Sequence, residues 1–298
     1  MRRKLPSTQA LSCFVAAARH QSFTRAAQEL ALTQGAVSRQ VAALEEFIGL
    51  ALFKRTQHGM TLTPAGIDYA RQVAQRLDAL ERDTLDLIGR QGQGDSITLA
   101  TVPTFATRWL IPRLPQLARE QPQLLVHFET HTRPFLFTDT GIDAALYAGT
   151  PEQVGQWAGT RACRLLSEEI VPVCSPALLK DRAHLSPADL SGMPLLQAST
   201  RPDAWRTWFE ANGVEAPMAM AGPRYEQFSM QVAAASCGLG VALVPTLLVE
   251  AELAAGSLVV ACPQPMRSER SYYLVQPDGD ERPALAVFRE WLQGQCSA

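Results

Sequence analysis

No apolar run in this 298-residue chain approaches the roughly 18 residues that a membrane-spanning helix needs, so the chain reads as soluble. Cysteine is present but unorganised. The six fall at 13, 163, 174, 237, 262 and 296, with no C-x-x-C pair and no regular spacing. That excludes a disulfide scaffold and fits a reduced, cytoplasmic protein. G-x-S-x-G is missing, and Cys237-Gly-Leu-Gly lacks the remainder of a dinucleotide fingerprint. His127 and His131 stand four apart, but on a predicted strand, where that spacing separates them by about 13 Å, too far to share a metal ion. No metal and no cofactor are therefore expected. There is neither an internal repeat nor a low-complexity tract. The opening MRRK and the later ALSCFVAAA imitate a secretory leader. Pro6 to Gln9 separate the two parts, however, and Leu11, Phe14, Val15 and Ala18 fit one helix face instead.

What is there divides unevenly. The length suits about two domains, and a formal net charge of −2 conceals a split. Residues 1–66 carry eight basic side chains against three acidic ones, a net of +5, whereas residues 67–298 carry 19 against 26, a net of −7. A basic head on an acidic body suggests a polyanionic partner for the head alone.

Within the head, Ser7 or Thr8 can cap a first helix reaching His20, and Ser22 a second from Phe23 to Leu30 that buries Phe23, Ala27 and Leu30. Thr33 can cap a third. There Val37, Val41, Leu44 and Ile48 make an apolar stripe of helical period, while the opposite face holds Gln34, Gly35, Ser38, Arg39 and Ala42. An ordinary solvated face would carry long i,i+4 ion pairs. Short side chains there let a helix sink into the DNA major groove, which is helix-turn-helix geometry. Glu45 and Glu46, at the far end, read as structural or solvated charges.

The string Leu11-x-x-Phe14, Ser22-Phe23-x-x-Ala26-Ala27-x-x-Leu30, Thr33-Gln34-x-Ala36-Val37-Ser38-x-Gln40-Val41-x-x-Leu44-Glu45, Ile48-Gly49-x-x-Leu52-Phe53-x-Arg55, Leu62-Thr63-x-Ala65-Gly66 resembles the DNA-binding head of LysR-type transcriptional regulators. The resemblance implies a winged helix-turn-helix over 1–66. Gln34, Ser38 and Arg39 become candidates for reading base edges, and Thr33, Arg25 and Arg55 for phosphate contacts, which position without specifying. His58 is a further candidate contact; it departs from the family, whose members often carry Arg at this wing position.

Thr63-Pro64 is a cap followed by proline at the first helical position, a strong helix start. From there Ala70, Val73, Leu77, Leu80, Thr84 and Leu87 step by 3, 4, 3, 4, 3, the period of a coiled-coil seam. Residues 67–95 are expected to form a dimerising linker helix closed by a hinge at QGQGD, 91–95. The alternative is a helix lying on its own domain.

Residues 96–298 alternate strands and helices, the pattern of a doubly wound α/β body. Strands are expected at SITLATV, LLVHFET, DAALYAG, EIVPVCS, VALVP and SYYLVQP. PTFATRWL, STRPDAW and EQFSMQVAAASCGLGVALVP resemble the branch of the LysR family that contains the glycine-cleavage and chromosomal β-lactamase activators. The family fold implies a periplasmic-binding-protein-like body, with lobe 1 at about 96–165 and 267–298 and lobe 2 at about 166–266. Ligands of such sheets sit at strand carboxyl ends. That places Thr104, His131, Arg133 and Tyr147 in one wall and Ser199, Thr200, Arg201, Gln227 and Phe228 in the other.

Thr104 matches the Ser/Thr with which family members hold an effector carboxylate, or it caps a helix, or both. Arg133 and Arg201 can pair with an anionic effector or be ordinary surface arginines, and Phe228 is core or pocket. Trp205, Trp208 and Phe209 read as core.

The whole reads as a cytoplasmic, non-enzymatic regulator of transcription. Its expected partners are double-stranded DNA carrying an interrupted inverted repeat, a small-molecule effector, further copies of itself as homodimer or homotetramer, and RNA polymerase if it activates; no membrane is expected. A solute-binding protein with an N-terminal extension and an α/β enzyme with a regulatory head are the alternatives. The first lacks a leader, and the second lacks any nucleophile–base or cofactor constellation.

Overall fold

Three hydroxyl caps set the N-terminal helices. The computed structural model, which describes residues 5–56, 59–90, 95–180 and 182–297, starts α1 (Thr8–His20) at Ser7, whose Oγ accepts from the Ala10 N–H at 3.1 Å. Ser22 accepts from Arg25 N–H at 3.3 Å to start α2 (Phe23–Glu29), and Thr33 from Ala36 N–H at 3.2 Å to start α3 (Gln34–Ile48). Each such cap stabilises its helix by about 1 kcal/mol. α3 stops at Gly49, which takes the left-handed conformation at φ 76°. Val37, Val41 and Leu44 turn inward against Phe14 and Leu52. In α2 the covered residues are Ala26 and Ala27, while Phe23 and Leu30 are only half-buried; the alanines form the face that lies against the neighbouring helices.

Strands β1 (Phe53–Thr56) and β2 (Gly59–Leu62) pair antiparallel, Phe53 opposite Leu62. The hairpin is tied back to α3 by Glu45, whose Oε1 accepts from the N–H groups of Leu52 (2.7 Å) and Phe53 (3.0 Å). Helix α4 (Pro64–Arg90) begins as expected. Thr63 Oγ1 accepts from Gly66 N–H at 3.0 Å and donates to Ala51 O at 2.9 Å. The linker seam is divided. Ala70 packs into the head's own core and Val73 is buried, so the alternative of a helix resting on its own domain holds for these first turns. Further along, Leu80, Leu85, Leu87 and Ile88 are exposed, the last two at 66 % and 67 %. Thr84 folds its hydroxyl back onto Leu80 O at 2.7 Å, hiding the polar atom of the seam. Residues 91–94 of the expected hinge lie outside the described residues.

The chain divides into two compact units, residues 1–93 and 94–298. The second is built on one mixed sheet. Its strands are β3 (Asp95–Thr101), β4 (Leu124–Thr130), β5 (Ala144–Gly149), β6 (Thr160–Cys174), β7 (Leu195–Ala198), β8 (Arg224–Tyr225), β9 (Val241–Pro245), β10 (Val259–Val260) and β11 (Met266–Pro277), in the spatial order β4-β3-β5-β11-β6-β9-β7-β8, with β10 on β6. β3 runs parallel to β4 and β5, and β9 parallel to β7, whereas β6 and β11 are antiparallel to each other.

The expected strand EIVPVCS is only the end of β6. Its polar first half, Thr160–Ser167, was not read as strand but pairs with Ser271–Pro277 of β11. Four hydrophobic clusters result among the described residues, two of them larger than the others. One gathers Ile97, Leu99, Leu146, Tyr272 and Leu274 beneath Phe288 and Trp291. The other gathers Ile170, Leu195, Trp205, Trp208 and Phe209. β6 and β11 pass from one to the other, with their register slipping between Arg267 and Ser271.

Helices cover both faces. After β3 the chain coils as α5 (Pro103–Phe105), a π turn (Ala106–Leu110), a 3-10 turn (Ile111–Arg113) and α6 (Leu114–Glu120), broken up by Pro103, Pro112 and Pro115. Then follow α7 (Pro151–Gly155), α8 (Pro187–Ser191), α9 (Ala204–Ala211), α10 (Phe228–Ser236), α11 (Glu250–Ala254) and α12 (Pro283–Ser297). α12 returns to the first lobe, where Phe288 and Leu292 close its core.

Candidate functional sites

On the first unit the outer face of α3 is bare. Gln34, Gly35, Arg39 and Ala42 are exposed, and Ser38 is half-buried. Gln34, Ser38 and Ala42 line a shallow groove of about 550 Å³ whose other side is Lys54 of β1, with Gln21 and Ser22 at one end. Lys54 was not singled out in the sequence, and Ser22 only as a helix cap; they meet the α3 face only through the fold. Arg39 lies along its helix, with Nη1 3.7 Å from where a Cβ at Gly35 would stand. Thr33 is exposed and already spends one lone pair on the cap, leaving its proton available to a phosphate oxygen. Arg25 is exposed on α2. Arg55 lies on β1 opposite Met60, and His58 falls outside the described residues.

On the second unit a cavity of about 490 Å³ opens between the two cores. Of the nine residues expected in its walls, Thr104, Arg133, Tyr147, Ser199, Thr200, Arg201, Gln227 and Phe228 line it. His131 does not. Its ring packs on Phe135 with centroids 4.6 Å apart, its Nε2 lies 3.5 Å from Glu129, and burial draws its pKa below the ordinary value. The strand end that carries it turns its successors Thr132 and Arg133 to the cavity instead.

Thr104 is buried, at 5 % exposure. It does not cap its own helix, whose cap position is Val102. Its Oγ1 accepts instead from the Ser229 N–H at 3.2 Å, in the first turn of α10 across the cleft. That turn has no cap from its own Gln227, so a side chain of the first lobe satisfies a free amide of the second. The positive end of the α10 dipole thus faces the cavity.

Arg201 already has a carboxylate partner inside the chain. Both its terminal nitrogens clasp Glu168, Nη2 to Oε2 at 2.7 Å and Nη1 to Oε1, and its guanidinium lies 4.8 Å over the Phe228 ring. Glu168 is fully buried and also receives the Tyr272 hydroxyl; burial first, and then this carboxylate, push the Tyr272 pKa well above its ordinary range. Arg201 thus lines the cavity as expected, with its charge already matched by an internal partner. Glu168, Tyr272 and Arg270, which also borders the cavity, escaped the sequence reading because the partners lie 33 and more residues apart and meet only through β6 and β11. Arg108, after β3, pairs with Glu252 of α11, an ion pair that joins the two lobes. Among the described residues no cluster of His, Cys, Asp and Glu is arranged to hold a metal ion, all six cysteines are free, and no helix is long and apolar enough to cross a membrane.

A helix-turn-helix unit with a stripped, basic reading face and a two-lobed α/β unit enclosing a polar cleft define a ligand-governed DNA-binding protein. The family model for the bacterial regulatory helix-turn-helix protein of the lysR family matches residues 8–67, and that for the LysR substrate binding domain matches residues 90–297. The chain belongs to the LysR family of DNA-binding transcriptional regulators with an effector-binding domain. It is 36 % identical over 300 residues to the glycine cleavage system transcriptional activator of Escherichia coli K12, covering all of this chain and 96 % of that one. It is also 36 % identical over 292 residues to the transcriptional activator AmpR of Rhodobacter capsulatus, covering 97 % and 96 %. The solved effector domain of AmpR from Pseudomonas aeruginosa superimposes with a TM-score of 0.60 at 29 % identity, over 68 % of this chain and 96 % of that one. Full-length AphB of Vibrio cholerae shares the fold, with a TM-score of 0.60 at 18 % identity over 97 % and 99 %.

Proposed function

We propose that this chain works in the cytoplasm as a homodimer or homotetramer whose heads, over residues 1–66, read an interrupted inverted repeat. In this reading residues 67–95 join the copies, and a small anionic effector held between the lobes of 96–298 resets the spacing of the heads. The exposed leucines and isoleucine at the end of α4 support the joining role, because a helix that presents Leu80, Leu87 and Ile88 to water gains by burying them against a second copy. One head spans too few base pairs for specificity, and two read two half-sites. If the protein activates, as its glycine-cleavage relative is named to do, RNA polymerase is a further partner.

The observation that carries the effector reading is the Thr104–Ser229 bond. A ligand carboxylate entering there competes for the α10 amide and alters a hydrogen bond that joins the two lobes, so its affinity differs between lobe arrangements, which is all that control requires. Replacing Thr104 by valine should abolish the response to effector in a reporter assay while DNA affinity stays at the wild-type value. An unchanged response in Thr104→Val removes Thr104 from the site.

On the head, Arg39→Ala should cost about 1–3 kcal/mol on specific DNA and far less on random DNA. Fluorescence anisotropy on the DNA upstream of its own gene, beside random DNA over a salt series, measures both. Equal losses on the two DNAs would take Arg39 off the base edges and leave it on phosphate.

A further inference from the structure

Three arginines border the cleft, and among the described residues only Arg201 is paired with a carboxylate; of the other two Arg133 is exposed and Arg270 is half-buried. Arg201 is matched by Glu168. Arg270 lies on the stretch of β11 where the register against β6 slips, and it borders the same cavity. Its side-chain bonds go to neutral acceptors at long range, from Nη1 to Ala148 O and to Gln153 Oε1, each at 3.4 Å. Among the described residues no carboxylate lies within ion-pair distance of it. Glu226, the acid at the cavity wall, is exposed, and Glu168 has both oxygens on Arg201. Burial, and then the neighbouring Arg201 charge, draw the Arg270 pKa below the ordinary arginine value. A half-buried cation on which the nearest carboxylates, Glu168 and Asp203, act only from beyond ion-pair distance is incompletely balanced, and an anion brought in from outside relieves it.

We propose that Arg270 is the anion anchor of the cleft, so that the effector carries a carboxylate or similar negative group bound by the Arg270 fork, while Arg201 only holds the cleft floor in place. This rests on the cleft being the effector site. The cavity volume suits a small metabolite rather than a bare inorganic ion. The position also links binding to motion. Arg270 sits on a backbone irregularity, its own N–H donating to Ser268 Oγ at 3.0 Å, in one of the two strands that both lobes share. An anion held there loads the segment through which one lobe must turn against the other.

The test is a thermal-shift titration of the full chain with sodium acetate as the minimal probe and a series of small metabolite carboxylates, each beside its neutral amide at matched ionic strength. Wild type, R270Q, R270K and Thr104→Val are compared. Carboxylates are expected to raise the wild-type Tm and their amides not to. R270Q should weaken carboxylate binding by about 10- to 100-fold, the loss of charge-assisted bonds, and R270K should recover part of it through charge without the fork. Without ligand, R270Q should melt at or above the wild-type temperature, which shows that it folds. A compound whose shift is lost in Thr104→Val but kept in R270Q would leave the effector in the cleft and overturn the role of Arg270. Equal protection by amide and carboxylate would overturn it too. No shift with any compound would overturn the effector reading itself, and this inference with it.

Discussion

Replacing Arg201 by alanine is expected to lower the stability of the effector-binding domain by about 3–5 kcal/mol, because it strands a charge that has no exposure to water. Glu168 is 0 % exposed and holds Arg201 through both carboxylate oxygens. Its remaining partner is a buried phenol, Tyr272. The guanidinium also covers the ring of Phe228, so its removal opens apolar surface. The measurement is chemical denaturation of the full chain followed by tryptophan fluorescence, since Trp205 and Trp208 report on the adjoining core. The curve is fitted with two transitions for the two units. A companion variant sharpens the result. Arg201→Met combined with Glu168→Leu should recover most of the loss, since replacing a whole buried pair with apolar groups is often neutral. A loss below about 1 kcal/mol for Arg201→Ala would mean that the pair behaves as an ordinary solvated bridge.

Gly66→Ala is the second large effect, and it falls on the head. A Cβ at position 66 would stand 2.1 Å from the Leu52 carbonyl oxygen, a backbone atom that no side-chain rotation can move. Leu52 is itself pinned, because its N–H is held by Glu45 of α3. The clash therefore has to be relieved by shifting α4, the hairpin or α3. Overpacking of this kind costs about 1–3 kcal/mol where side chains can yield, and a backbone obstacle puts the cost at the upper end or beyond. Specific DNA affinity should fall by about 100-fold, at about 1.4 kcal/mol per tenfold, with the far-ultraviolet helix signal kept. Wild-type affinity in Gly66→Ala would mean that the helix starts elsewhere without consequence.

Local chemistry was legible in the sequence. Ser7, Ser22, Thr33 and Thr63 cap the helices they were expected to cap, because a cap depends only on a hydroxyl and the next three residues. The stripped face of α3 also stands out in water as its spacing implied. Long-range pairing was not legible. Arg201 looked available because Glu168 lies 33 positions away on a different strand. The polar half of β6 looked like loop because its partner, β11, arrives about a hundred residues later. His131 and Arg133 were both placed in the cleft by counting past the end of β4; Arg133 reaches the cavity with Thr132, and His131 does not. The seam of α4 was read from its period, but period alone does not say where a helix leaves its own domain, and Ala70 and Val73 belong to that domain.

The grip of Glu45 on two consecutive amides at the root of the hairpin has a consequence for evolution of the operator. With reading helix, wing and linker root locked into one piece, each head is a gauge of fixed shape. In the proposed dimer, preference for a DNA site can then drift in two independent ways, by exchanging the few short side chains on the gauge's face or by altering how far apart two gauges are carried. New regulons can thus be reached by changing letters or by changing the gap, and neither route requires refolding the part that reads.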